Sequence, residues 1–354
     1  MIQSQARPKV LFILGNHNHN TMLHQISMQL PECDRWYTPY YCDDWSPLDV
    51  LRRLGLLEFI ALGNEFRAEC LEYCARHDLR VDLGAKRNTY DLVVTCSDLL
   101  IPRNVMNTRI VGVMEGMIDP KAFWFKVRQV LPSLPRWAMS TTGTGLSCLY
   151  DRYCLASEGY IDEFAARGAP RHRLTVTGLP NFDNFAGHKK PGHWIEKYVL
   201  ACTSDGRECL RPDDRPAFIR KALEIANGRP LVFKFHPNEK MARSIREVQE
   251  MAPGALYLTD SSRGSGEELA ANCASLVTEW STLAFFGVAL GKETYSYRSH
   301  DELRRLLPLQ HGQGAANIAS VCREVLGMEP TVIGRAAAPP AELHATNGER
   351  RIRA

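Results

Sequence analysis

The sequence predicts two α/β domains, each built on a doubly wound parallel sheet, and three observations carry that reading. The chain has 354 residues, more than one hydrophobic core usually serves, so two domains of about 150 residues each are expected. Short β-branched runs alternate with helix-periodic stretches, which favours parallel strands joined by helical crossovers. The alternation is interrupted by a polar, turn-rich segment at 187–192 (GHKKPG) and then starts again.

In the first half, residues 9–14 (KVLFIL) read as a strand stopped by Gly15, and residues 16–20 (NHNHN) lead into an apolar-periodic helix from Thr21. Helical patterns follow over 47–60 and 64–77, and then strand-like 91–95 (DLVVT) and 109–114 (RIVGVM). A strand at 153–156 (YCLA) ends at Ser157, which has the chemistry of an N-cap, and the helix after it closes at Gly168. Residues 174–177 (LTVT) give one more strand.

After the interruption the pattern resumes with the strand 198–203 (YVLACT), a helix over 216–227, the strand 231–235 (LVFKF) and a helix from about Glu239. Residues 255–258, a short helix around Glu267, and the strand 274–278 come next. Ser281 then opens a helix that runs through Leu290 and stops at Gly291, and 294–297 form the final strand. The expected division is therefore a first domain over 1–186, a linker over 187–194 and a second domain over 195–330. Residues 331–354 hold three consecutive alanines, a Pro-Pro pair and a basic end, a composition that predicts disorder.

Composition excludes several classes. Lys plus Arg number 43 against 40 Asp plus Glu, a net charge of +3, too weak to predict a nucleic-acid partner. The eleven cysteines include Cys70 and Cys74 at a helical spacing but no C-x-x-C pair and no zinc-like Cys/His cluster, so buried free thiols, a reducing cytoplasm and no metal are expected. The longest apolar run near the start, residues 10–14, is far short of the approximately 18 residues a membrane span requires. Residues 121–130 (KAFWFKVRQV) read either as an interfacial helix, giving peripheral attachment to a membrane, or as a half-buried surface helix.

The residues with chemical promise lie where strands end, which is where ligands bind in parallel α/β sheets. Lys234, Phe235, His236 and Pro237 form a strand end that displays a lysine and an imidazole suited to a pyrophosphate, or else a simply capped strand with a solvated lysine. Thr278, Glu279, Trp280, Ser281 and Thr282 stand where a strand gives way to a helix, so free amides and hydroxyls can form an anion site; the plainer alternative is that Ser281 caps its helix. The loop at 261–266 (SSRGSG) lacks a Walker lysine, which rules out a P-loop, and Gly15 lacks the G-x-x-G continuation of a dinucleotide dehydrogenase. Glu115, followed by Gly116, is a carboxylate at a strand end that could take a proton from a hydroxyl, or a surface glutamate before a turn. Further candidates to line the ligand cleft are Gly15, His17, Gly116, Gly178 and Ser204, with His19 in the same corner as His17.

Together these segments resemble the glycosyltransferase-B superfamily, most closely its CDP-glycerol glycerophosphotransferase-like and capsule-polysaccharide transferase branches. The likeness covers roughly residues 153–297: the V-T-G-L-P-N-F-D stretch at 176–183, the Lys-x-His-Pro stretch, and the block 267–297 with its T-E-W-S-T and G-K-E. It departs from the family at Glu279, where aspartate is usual, at Thr282, which replaces a second serine, and at Glu293, which replaces a proline. The resemblance implies two Rossmann-like domains facing across a cleft, donor phosphate contacts from His236, Ser281 and Thr282, and no cofactor beyond a nucleotide-activated donor. The His-Pro and Ser-Thr features are also similar to motifs of bacterial sialyltransferases of this fold. There an acidic residue before glycine supplies the base, which makes Glu115 the candidate base here.

The expected activity is transfer from a UDP-, CDP- or CMP-linked sugar or alditol to a glycan or lipid-linked acceptor in bacterial surface-polysaccharide synthesis, with domain closure excluding water. A nucleotide-sugar 2-epimerase, which shares the fold and the phosphate grip but uses no acceptor, is the rival enzyme. A catalytically silent nucleotide-binding scaffold is the rival from another class.

Overall fold

The computed structural model describes residues 6–57, 61–118, 136, 143–204, 206–208, 213–237 and 239–328. The chain forms two compact units; the first takes residues up to Asp183 and resumes at Pro308, and the second runs Asn184–Leu307. The expected 121–130 helix and the 331–354 tail lie outside the described residues.

The first unit is built on a six-stranded sheet. Its strands are β1 (Lys9–Leu14), β2 (Asp34–Pro39), β3 (Leu92–Thr95), β4 (Arg109–Val113), β5 (Arg152–Leu155) and β6 (Leu174–Val176), in the order β2-β1-β3-β4-β5-β6. Every pairing is parallel. Val10 to Leu14 are at most 1% exposed, as a strand covered on both faces requires. Burying each such aliphatic or aromatic side chain contributes about 1.5–3 kcal/mol. Helices α1 (His17–Met28), α2 (Pro47–Arg53), α3 (Asn64–Arg76) and α4 (Gly159–Ala165) connect the strands.

One strand lies outside the expected set, and two local expectations need correction. β2 (DRWYTP) has no apolar alternation to betray it, and as an edge strand it tolerates Pro39 at its end. α2 stops at Arg53 rather than running to 60. Ser157 does not cap α4: its backbone oxygen accepts from the Tyr160 N–H, and its buried hydroxyl has no partner.

The second unit holds a five-stranded sheet with the order β11-β10-β7-β8-β9, again all parallel. Its strands are β7 (Val199–Cys202), β8 (Leu231–Lys234), β9 (Leu256–Leu258), β10 (Ser275–Thr278) and β11 (Glu293–Tyr295). Helices α5 (Arg215–Ala226), α6 (Met241–Met251), α7 (Gly266–Asn272), α8 (Leu283–Ala289) and α9 (His300–Leu306) complete it. The chain moves outward from β7 through β8 to β9 and then returns to the other side of β7 with β10. That reversal is the topological switch point at which doubly wound sheets open a crevice.

The domain division differs from the expected one. Helix α10 (Gly314–Leu326) belongs to the first unit, although the expected second domain, 195–330, includes it. It is held by long-range bonds that no local pattern reveals: the Gly314 N–H donates to Asp183 Oδ2 at 2.7 Å, Asn317 to the Thr177 carbonyl at 2.9 Å, and Arg323 to Glu32 at 2.7 Å. The expected linker is partly pinned to the second unit, since Lys190 pairs with Glu268 at 2.7 Å and the Trp194 indole donates to the Arg263 carbonyl at 2.7 Å.

Candidate active site

In the second unit the carboxyl ends of β10, β7 and β8 lie side by side, and each runs into a segment singled out in the sequence. Ser204 follows β7 and Glu279 follows β10, on either side of the switch point, and the Ser204 hydroxyl donates to Glu279 Oε2 at 3.0 Å. His236 follows β8. Its backbone N–H donates to Glu239 Oε1 at 3.0 Å and to Thr203 Oγ1 at 3.3 Å, so the His-Pro turn is fixed by a buried carboxylate as well as by Pro237. The imidazole is half-buried, while Pro237 is exposed.

Glu239 is the hub of a buried ionic network that periodicity alone does not reveal. Its side chain is fully enclosed and accepts from Arg215 Nη1 at 2.8 Å, from Ser244 Oγ at 2.6 Å and from the Thr203 hydroxyl. Arg215, 1% exposed in the first turn of α5, also bonds Asp213 at 3.1 Å and the Ser204 carbonyl at 3.0 Å. One guanidinium thus ties the end of β7, the start of α5 and the His236 turn into one frame. Arg207 adds a paired contact with Glu247 at 2.6 and 2.9 Å.

The two buried glutamates are pushed in opposite directions. Burial alone would raise Glu239, but the Arg215 charge and the bonds from Ser244 and Thr203 outweigh it and lower its pKa. At Glu279, burial and then the charge of Asp213 dominate, and the pKa is raised. Beside Glu279, Trp280 stacks on Tyr297 with ring centres 4.9 Å apart.

The remaining second-unit candidates are placed less simply. Lys234 turns to the Asp260 carbonyl at 3.1 Å, which draws its ammonium toward the loop after β9. Thr278 is 1% exposed and its hydroxyl has no partner. The Ser281 oxygen accepts the Leu283 N–H at 3.2 Å from the position before the N-cap, and Thr282 occupies the N-cap position of the seven-residue α8 without a side-chain cap bond. Both residues stand at the same sheet edge as His236.

In the first unit, Glu115 follows β4, and its Oε2 lies 2.5 Å from Nε2 of His19. His19, in the first turns of α1, is 4% exposed, whereas its neighbour His17 is exposed to solvent. Gly15 makes the pairing possible: a Cβ there would stand 2.3 Å from His19 Nδ1. Gly116 directly follows Glu115 at the rim of a small cavity. Gly178 has φ +74, a left-handed turn favouring glycine. The V-T-G-L-P-N-F-D stretch that contains it ends in Asp183, whose carboxylate holds the start of α10.

Of the residues sequence reasoning left out of the site, Arg215, Asp213 and Glu239 read locally as solvated charges near helix starts. His19 differs from His17 only through Gly15 and the turn of α1. Among the described residues no group of three or more His, Cys, Asp or Glu side chains is placed to hold a metal ion. Nor is any described helix long and apolar enough to cross a membrane.

No protein-family model matches the sequence. No curated protein matches it at a significant level. Solved structures do match. The Staphylococcus aureus MnaA structure with UDP superposes with a TM-score of 0.56 at 11% identity, covering 91% of this chain and 98% of that one. The UDP-GlcNAc 2-epimerase of Neisseria meningitidis, bound to UDP-GlcNAc, gives 0.53 at 10% identity over 90% and 99%. The Rickettsia bellii UDP-N-acetylglucosamine 2-epimerase gives 0.51 at 11% over 91% and 96%. The likeness establishes the fold, two Rossmann-like parallel-sheet domains of the glycosyltransferase-B type.

Proposed function

We propose that this protein is a nucleotide-sugar enzyme that epimerises the carbon next to the anomeric centre, the rival enzyme reading of the sequence rather than the transferase. The observation that carries it is the 2.5 Å contact of His19 with Glu115, a coupled imidazole and carboxylate able to hold and exchange a proton at one strand end. Inverting a C–H carbon requires one group to remove the proton and a proton source to return it on the other face. Transfer to an acceptor hydroxyl requires only a base. The superposition on 2-epimerases over nearly their full length supports the same choice.

The C2–H of such a sugar has no adjacent carbonyl, so its removal must accompany departure of the C1 diphosphate. In that step the C2–H bond breaks toward Glu115, its electron pair forms the C1=C2 double bond, and the C1–O pair leaves with the nucleoside diphosphate; re-addition restores both bonds. In the second unit, His236 and the segment Ser281–Thr282 offer an imidazole and hydroxyls suited to a diphosphate. Glu239 and Arg215 hold the His236 turn in place for it, at no reorganisation cost.

A second reading, transfer to an acceptor, is favoured by the transferase-like motifs and by Glu115-Gly116 after β4. Incubation with UDP-GlcNAc alone in D₂O separates the two. Epimerisation predicts deuterium at C2 and the appearance of the epimer by proton NMR, and an unchanged spectrum overturns it. A thermal-shift comparison of UDP, CDP, CMP and GDP identifies the nucleotide, with UDP expected to stabilise most.

A further inference from the structure

Glu115 also borders a small cavity, lined with it by Met114, Ile118, Thr144, Tyr153 and Phe164, among others. The space left for a water centre is about 10 Å³, close to the minimum that admits a single water molecule. The walls contribute two hydroxyls. Tyr153 is 1% exposed and Thr144 6% exposed, and neither Tyr153 Oη nor Thr144 Oγ1 has a hydrogen-bond partner.

The ring of Tyr153 is steered there by glycine. A Cβ at Gly112 would strike its Cδ2 at 2.3 Å, and one at Gly145 would stand 3.1 Å from its Cζ, so the hydroxyl end lies beside Gly145 and its neighbour Thr144. Burial, with the charges of Asp98 and Glu115, pushes the phenol well above its ordinary pKa, so it stays protonated and must donate. The nearby buried carboxylate of Asp98 already accepts the Gly145 and Ser147 amides at 2.6 and 2.8 Å. A buried donor left unmade costs about 1–3 kcal/mol. Two such groups lining one water-sized space point to a shared partner.

We infer that one ordered water occupies this cavity, held by Tyr153 Oη and Thr144 Oγ1 and donating to the Glu115 carboxylate. Water has the donors and acceptors to serve all three groups at once. Together with His19 it fixes the carboxylate, which makes Tyr153 and Thr144 positioning residues. The positioning half of the inference rests on the proposed role of Glu115 as base; the water itself does not.

The tests separate the two. A crystal structure that resolves ordered water should show density within hydrogen-bond distance of Tyr153 Oη and Thr144 Oγ1, and Tyr153→Phe should lower the Tm, because the water loses a partner. An empty cavity, with Tyr153→Phe raising the Tm as deletion of an unpaired buried hydroxyl does, overturns the water. In turnover of UDP-GlcNAc, Tyr153→Phe and Thr144→Val should lower kcat about five- to tenfold with KM unchanged, the equivalent of one hydrogen bond. An unchanged kcat in both variants overturns the positioning role. Full turnover in Glu115→Gln would instead remove the base and leave the water standing on its density and Tm.

Discussion

His19 Nε2 and Glu115 Oε2 meet at 2.5 Å, with the imidazole 5% exposed and the carboxylate 23% exposed. A buried ring in contact with a partly open carboxylate is suited to passing a proton to a bound molecule without losing it to solvent. Glu115→Gln keeps the shape and removes the base, so kcat should fall by about 10²–10⁴. Nucleotide affinity, measured by calorimetry with UDP, should change little.

Gly15→Ala tests the same pair from beneath. The new methyl would stand 2.3 Å from His19 Nδ1, and the ring is too enclosed to yield freely. The expected outcome is a loss of about 1–3 kcal/mol in stability from overpacking, together with a fall in kcat beyond that of a control such as Gly254→Ala, where a Cβ meets nothing within 4 Å. Denaturant melts and steady-state kinetics on the two variants check this.

His236→Ala should weaken UDP binding by about 1.5–3 kcal/mol if the imidazole makes a charge-assisted bond to phosphate. The Tm without ligand should move much less, because the turn is fixed through the backbone N–H that alanine retains. Equal ligand-induced shifts in variant and parent would remove His236 from the phosphate site.

Arg215→Met leaves Glu239 and Asp213 buried without their shared cation. Breaking a buried pair by deleting one partner costs about 3–5 kcal/mol, so urea melts should show a loss of that size. Arg215→Met combined with Glu239→Gln should recover part of it.

Glu279 gives a pH signature of the opposite sign to an ordinary paired carboxylate. Its pKa is raised above the usual 4.5 by burial and then by Asp213. Its stabilising contribution is therefore complete below 4.5 and disappears as pH rises through the folded-state value. Glu279→Gln, neutral throughout, should melt higher than the parent at neutral pH and converge with it below 4.5. Parallel Tm curves across that range would remove the buried charge from the account.

The sequence makes the sheet strands legible because buried parallel strands announce themselves. Residues 10–14 and 231–233 are continuous apolar runs, the first ended by a glycine and the second leading into the His-Pro turn. β2 is hidden because an edge strand needs only half of its length buried. The ends of β4, β7, β8 and β10 mark where chemistry can sit, so Glu115, Ser204, His236 and Glu279 are visible as positions. Their partners are not. His19 reaches Glu115 across 96 residues and Arg215 reaches Glu239 across 24, and no local spacing encodes such a contact.

The chain leaves the first unit after Asp183 and comes back at Pro308, and α10 then packs across β3, β4 and β5. On the ribosome, domains mature as their residues emerge. Here the six strands of the first sheet are all synthesised early, yet the helix that packs on three of them arrives only after the whole second sheet has been made. The later domain therefore has its chance to fold while the earlier one still waits for that helix, which reverses the usual order from amino to carboxyl end.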